Sequence, residues 1–424
     1  MIGKNIHGLM ETLWPICRSI SGNGVRETLK ILQHHLPDLK ILEIPTGTEC
    51  FDWEVPKEWN IEDAYVLDPS GNKIIDFKKS NLHLVNYSIP VDLELDLEDL
   101  QNHLHSLENQ PDAIPYVTSY YKEYWGFCIS HNQRKKLPKG KYRVKVNSTL
   151  SSGSLTYGEL IIKGKTSKEI FISTYVCHPS MANNELSGPC LTTFLAKYIQ
   201  SINPNYTYRI IFIPETIGAI CYLSKHLETL QSNVIGGYNI NCVGDDKNWS
   251  FLPSKEGNLY IDRLTRRVLK KEGIQYKEYS FLTRGSDERQ YCSPGIDLPI
   301  CSVMRSKYDT FAEYHTSLDN LEFVSSRGLH ASYELYCKLV NSLEKDILPN
   351  SLIKCEPMMS KRGLRPTIGK RGSAYSSRIL MNFLTYSNGK NSIEEIAHLI
   401  GCNLDEAKEV FEILKSHELV ELPI

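Results

Sequence analysis

Between about residues 155 and 350 the sequence alternates near-continuous apolar runs with amphipathic stretches, and few folds accept that pattern. EIFISTYV, YRIIFIP, VIGGYNINCV and LPICSVM lack the polar–apolar alternation of a strand with one wet face. Both faces of the sheet they form must therefore be covered. Among the runs between them, PCLTTFLAKYI sets Leu191, Phe194, Leu195, Tyr198 and Ile199 on one stripe, as a helix on a core requires. Pro189 falls in its first turn, where a missing N–H costs nothing. The alternation predicts an α/β layer with a largely parallel sheet.

Other segments have different textures. Ile6, Leu9, Met10 and Leu13, then Val25, Leu29, Ile31 and Leu32 beyond the turn SGNG, predict two helices within the first 45 residues. From 46 to 150 short strand-like runs dominate, among them WEVPKEWN and AYVLDPSGNKIIDF. GFCISH and KYRVKVNSTL read as a strand pair across the basic turn NQRKKLPKGK. We expect 46–150 to be a β domain inserted into an α/β domain formed by 1–45 and 151–350. Residues 357–373, rich in Gly, Pro, Lys and Arg, read as a linker. RILMNFLTYS, SIEEIAHLI, LDEAKEVFEILKSHE and LVELPI then give three helices and a strand over 374–424, the size of a winged helix.

Charge and motifs narrow the function. Lys plus Arg number 48 against 50 Asp plus Glu, so no whole-chain field draws in nucleic acid or an anionic membrane. Residues 374–424 carry more acidic than basic side chains, the reverse of what a DNA-reading surface needs. That unit is expected to contact protein, or a second copy of the chain, and no nucleic acid. No run approaches the ~18 apolar residues of a membrane span, and the N-terminal stretch has no secretory pattern. Twelve scattered cysteines without a C-x-x-C pair read as reduced core thiols, which points to the cytoplasm. Phosphate-loop and G-x-S-x-G patterns are missing.

Polar residues cluster at the ends of the apolar runs, where ligands gather in open α/β sheets. His178 closes one run in STYVCHPSMANNELSG, which also holds Asn184 and Glu185. Glu215 ends IIFIPETIG, and Asp287 and His315 lie in TRGSDERQYC and EYHTSLDN. Taken singly, each has a structural reading: a hydrogen-bonded histidine, a strand-end carboxylate, a helix cap. Taken jointly, two His and acidic residues are what zinc prefers, and a catalytic zinc needs three protein ligands and an open position.

These segments, with FDWEVPKEWN and RGSDERQYCSPGIDLP, resemble the co-catalytic zinc aminopeptidase family, which also includes glutaminyl cyclases. The chain is most similar to a bacterial branch with an inserted β domain and a C-terminal winged helix, a branch associated with surface-polysaccharide gene clusters. The resemblance implies a three-layer α/β/α domain with a mostly parallel sheet. It implies His178, Asn184, Asp287 and His315 as metal positions and Glu215 as general base. Two departures stand out: Asn184 falls on a bridging Asp, and Thr216 falls on a ligand carboxylate. One zinc is therefore expected rather than two, with Glu185 as a spare donor. Arg284, Arg289 and Tyr308, along with Arg305, lie near these segments as groups that could hold an anionic part of a substrate.

The expected function is a zinc-dependent hydrolase of aminopeptidase type, cleaving an amide bond in a small peptide or an N-acyl or aminoacyl sugar. The rival expectation, raised by Asn184 and Thr216, is a catalytically impaired metal- or ligand-binding protein in a biosynthetic assembly.

Overall fold

The computed structural model describes residues 2–364 and 373–421. One eight-stranded sheet organises the larger part. Its order is Lys40–Pro45, Ser154–Ile162, Thr207–Ile213, Glu169–Tyr175, Val234–Asn239, Ile300–Met304, Ser250–Leu252, Lys277–Glu278. The four strands from Thr207–Ile213 to Ile300–Met304 run parallel, and antiparallel pairs join them at both margins.

The absence of alternation in the apolar runs has a direct cause. Every residue of Glu169–Tyr175, Thr207–Ile213 and Ile300–Met304 is buried. Side chains leave a strand on opposite faces in turn. Ile170, Ile172, Ile210 and Phe212 accordingly meet Leu13, Leu29, Leu195, Leu264 and Leu339 from the helices Ile2–Leu13, Asn23–His35, Ser187–Ser201, Tyr260–Lys271 and Ser326–Lys345. Phe171, Tyr175, Ile211 and Ile213 point the other way, onto the helix Ile217–Asn233 and onto Trp59, Val66, Phe127 and Tyr142 of the β segment.

That β segment is a four-stranded antiparallel sheet, ordered Lys73–Asp76, Glu58–Leu67, Lys141–Ser151, Val91–Asp96. The expected pairing of GFCISH with KYRVKVNSTL does not occur. Phe127–Cys128 pairs with Leu104–His105, whereas Lys141–Ser151 lies between two other strands. Local alternation identifies a strand without identifying its partner. The supposed hairpin tip is instead the short helix His131–Arg134, with Ser130 Oγ accepting from the Gln133 N–H as its cap.

The C-terminal helices are Ser373–Tyr386, Ile393–Ile400 and Leu404–Ser416. Val420–Glu421 closes the unit by pairing antiparallel with Asn350–Ser351, so chain that precedes the expected linker already belongs to this sheet. Within the linker expected at 357–373, residues 365–372 lie outside the described residues, as do 422–424 at the end of LVELPI. Among the described residues no helix is long and apolar enough to cross a membrane, and all twelve cysteines are unpaired.

Candidate active site

The carboxyl ends of the parallel strands deliver the polar residues. His178 lies three residues beyond Glu169–Tyr175, and Glu215 two residues beyond Thr207–Ile213. His178 Nε2 stands 3.7 Å from the Glu215 carboxylate. The rings of His178 and His315 are 5.6 Å apart, centre to centre. Asn184 Nδ2 is 3.4 Å from His315 Nε2. Asp287 joins through the backbone, accepting the Thr216 N–H on Oδ1 at 2.7 Å. Four of the five residues expected to carry chemistry are thus in mutual reach, and Asp287 borders them.

Irregular backbone holds this arrangement. Ala182–Leu186 forms one turn of π-helix, a local distortion common at functional sites. It turns the Asn183 and Asn184 N–H groups onto the Asp319 carboxylate, at 2.6 and 2.9 Å. Ser180, Thr216, Cys242 and His315 all have φ between 46° and 65°. For a β-branched residue such as Thr216 that region costs of order 1–3 kcal/mol. Gly188, in NELSG, lets its own helix, Ser187–Ser201, press against the sheet: a Cβ there would meet Ile240 O at 2.5 Å.

Burial sets the protonation states. Desolvation pushes the Glu215 carboxyl up, opposed by the nearby Arg289 guanidinium. Asp287 is pushed up as well, first by burial and then by the Glu215 charge. Burial lowers His178 well below the ordinary histidine range and His315 to about 4, so both imidazoles are neutral at pH 7. Asp287 Oδ2 is buried without a hydrogen-bond partner, as is Arg289 Nε. An orphan acceptor and an orphan donor at one site mark the places where a ligand can gain most.

Several expected contributors stand elsewhere. Glu185 is no spare donor. Its carboxylate is locked at 3.1 Å on Arg18 Nε, both side chains being fully buried, and Arg18 also donates to the His178 and Leu13 carbonyls. Tyr308 is 2% exposed; its hydroxyl accepts from the Gly285 N–H and donates to Glu288. Arg284 is exposed and stacks over Phe281, whereas Arg305 lies over Trp249 and donates to Asp245 O. Arg289 alone of these reaches inward, its Nη2 donating to Thr216 Oγ1 at 2.5 Å.

Sequence reasoning missed Tyr116. Its ring lies 5.3 Å from His178 and 5.2 Å from His315, although it belongs to the β segment. Residues 110–116 are zipped onto 312–317. The Tyr116 N–H donates to His315 O and the Ser317 N–H to Ile114 O, and Pro115 bridges Thr316. Tyr175 was also passed over: its hydroxyl donates to the Asn184 backbone oxygen at 2.5 Å. Among the described residues, no group of three or more His, Cys, Asp or Glu side chains stands in an arrangement that would hold a metal ion as placed.

Residues 7–346 match a family described as a domain of unknown function, DUF4910, and residues 347–422 match a winged helix-turn-helix family. A Clostridium acetobutylicum protein, described as a candidate polysaccharide biosynthesis protein with an aminopeptidase-like domain, is 45% identical over 99% of this chain and 96% of its own. A crystal structure from the same organism, described as a candidate peptidase, has a TM-score of 0.82 at 43% identity and covers 99% of this chain and 96% of that one. A zinc aminopeptidase from Bacillus subtilis shares the fold, with a TM-score of 0.59 at 12% identity over 80% of this chain and 95% of its own.

Proposed function

We propose that this chain, which belongs to the DUF4910 family and carries its aminopeptidase-like fold beside a winged helix, is a zinc-dependent hydrolase that cleaves an amide bond. The observation that carries the reading is the Glu215 carboxyl. It is held up in pKa by burial, keeps 20% of its side chain accessible, and stands 3.7 Å from His178. A carboxylate so placed is matched to accept a proton near neutral pH.

The donors fit one zinc by their chemistry. Ligation needs neutral imidazole and deprotonated carboxylate; His178 and His315 are neutral, and Asp287, whose carboxyl burial pushes up and whose Oδ2 has no hydrogen-bond partner, would give up its proton on binding the ion. His178, Asp287 and His315 would hold the ion, with the Asn184 amide as a weak fourth donor. A second ion is disfavoured, because Thr216 brings no charge and its hydroxyl is taken by the Arg289 guanidinium. When bound, the zinc supplies Lewis-acid polarisation of the scissile carbonyl.

The chain's own groups account for the rest. Glu215 removes the proton from the attacking water and returns it to the leaving amine nitrogen. Arg289, with Nε unengaged, supplies positive charge where oxyanion charge develops. Tyr116 packs against both imidazoles and limits water around them. An aminoacyl or N-acyl sugar is the substrate class we favour over a peptide, on the strength of the polysaccharide description of the 45% identical relative.

The rival reading, a binding protein without turnover, draws on the neutral Asn184 and on the Arg289–Thr216 contact. One experiment separates them: metal content per chain for wild type and His178→Ala, with amide turnover for wild type and Glu215→Gln. We expect about one zinc per chain, lost in His178→Ala, and turnover reduced by roughly 10²–10⁴ in Glu215→Gln. Metal-free protein after incubation with zinc, or turnover indifferent to Glu215, would sink the hydrolase.

A further inference from the structure

Phe51, Trp53, Tyr121 and Tyr386 are the large aromatics exposed beyond a third of their surface among the described residues. Three of these four share one place. Phe51 and Trp53 sit on the tight hairpin that joins Glu49–Cys50 to Trp53–Glu54. The Tyr121 ring meets Trp53 edge-on at 5.7 Å, and its hydroxyl is tethered to Glu54 O at 3.2 Å. Exposures of 58%, 41% and 53% leave all three rings accessible.

The backbone fixes where these rings sit. Phe51 and Tyr121 have φ of 56° and 62°, a region bulky residues rarely enter and which costs of order 1–3 kcal/mol each. At Phe51 the conformation is the one that a two-residue hairpin turn requires. Exposed, Asp52, Glu54, Lys122 and Glu123 border the rings with hydrogen-bonding groups.

The cluster is also tied to the candidate site through the chain. Tyr121 follows Tyr120, whose hydroxyl is 3.1 Å from that of Tyr116, and Tyr116 touches His178 and His315. Five residues of chain span at most ~18 Å, so the rings stand within a few sugar units of the histidines. The hairpin packs on the helix Ile217–Asn233, which begins two residues after Glu215.

The available area decides what kind of partner fits. Three rings of roughly 200 Å² each, about half exposed, offer on the order of 300 Å². A stable protein interface needs about 800 Å² per partner. The surface is too small for a protein and suits one or two flat rings with an apolar face and a hydroxyl rim. We propose that Phe51, Trp53 and Tyr121 form a subsite for a pyranose unit of a saccharide whose amide is presented to Glu215. This rests on the reading of the substrate as an aminoacyl or N-acyl sugar.

The test is calorimetric titration with three probes: tetramers of N-acetylglucosamine, of β-1,4-glucose and of α-1,4-glucose. Wild type, Trp53→Ala, Trp53→Phe, Tyr121→Ala and Glu215→Gln are compared, with thermal melts to confirm folding. At least one tetramer should bind wild type and bind about tenfold more weakly to each alanine variant, a loss of ~1.4 kcal/mol. Trp53→Phe should recover most of it, and Glu215→Gln should bind as wild type does. Binding that follows the aromatics in a protein without turnover would leave this subsite standing and remove the hydrolase. Turnover of a peptide amide with no saccharide binding, or binding unchanged in both alanine variants, would overturn the subsite.

Discussion

Two accessory units flank the α/β body, and they are attached in opposite ways. The β segment shares a core with the sheet: Trp59, Val66, Phe127 and Tyr142 lie in the same cluster as Phe171, Tyr175, Ile217 and Tyr291. It also places Tyr116 among the site histidines. The C-terminal unit keeps a core of its own, built from Ile379, Phe383, Ile396, Val410, Phe411 and Leu414. It meets the body through charge, Arg263 gripping Glu395 at 2.7 Å and the Lys390 carbonyl at 2.8 Å, with Arg267 near Glu394. A unit that completes a site must be held in fixed register by buried area, whereas a unit held by partly exposed ion pairs can be repositioned at little cost.

The largest effect should come from the C-terminal core. Phe411→Ala removes a side chain that is 2% exposed and should destabilise that unit by about 3–5 kcal/mol. Hydrogen exchange should show its helices opening while amide turnover stays at the wild-type level. A fall in turnover would break the contrast. Next comes Tyr116→Ala, where a partly buried ring that packs on both histidines is lost. We expect about 2 kcal/mol of destabilisation in a denaturant melt, together with turnover reduced by at least about tenfold.

Smaller still is Arg263→Ala, which unlinks the two bodies. It should cost about 1 kcal/mol or less and raise exchange in Ile393–Ile400 without changing zinc content. The smallest effect is on acid sensitivity where the body meets the β segment. Hydrogen bonding to Arg26 lowers the Glu58 carboxyl from 4.5 to about 2. A depressed carboxyl stabilises the fold above its unfolded pKa and ceases to do so as pH falls towards the folded value. The stability gap between wild type and Glu58→Gln should therefore shrink between about pH 4.5 and pH 2. Solvent screening limits the gap to about 0.5 kcal/mol. A gap that widens on acidification would reverse the assignment.

The contrast also explains what the sequence revealed. The parallel sheet was legible because each strand announces itself by a local apolar run, and strand ends are where His178 and Glu215 fall. Asp287 and His315 stand out through the motifs TRGSDERQYC and EYHTSLDN, not through periodicity. Tyr116 was not legible, because its relation to His315 is made by contact between segments about two hundred residues apart. The Arg18–Glu185 pair was hidden for the same reason, and without it Glu185 read as an available ligand. The mispaired strand GFCISH shows the general limit: alternation fixes which side chains turn inward, and only the assembled core selects the neighbour.

The zipper between 110–116 and 312–317 has a consequence for how the protein is made. The first of its halves leaves the ribosome about two hundred residues before the second, which at ~5–20 residues per second is an interval of roughly 10–40 s. Through that interval Tyr116 has no histidine partner from the later segment. The β segment can fold, but the candidate site stays incomplete until His315 arrives, so a nascent or prematurely released chain should lack the proposed activity.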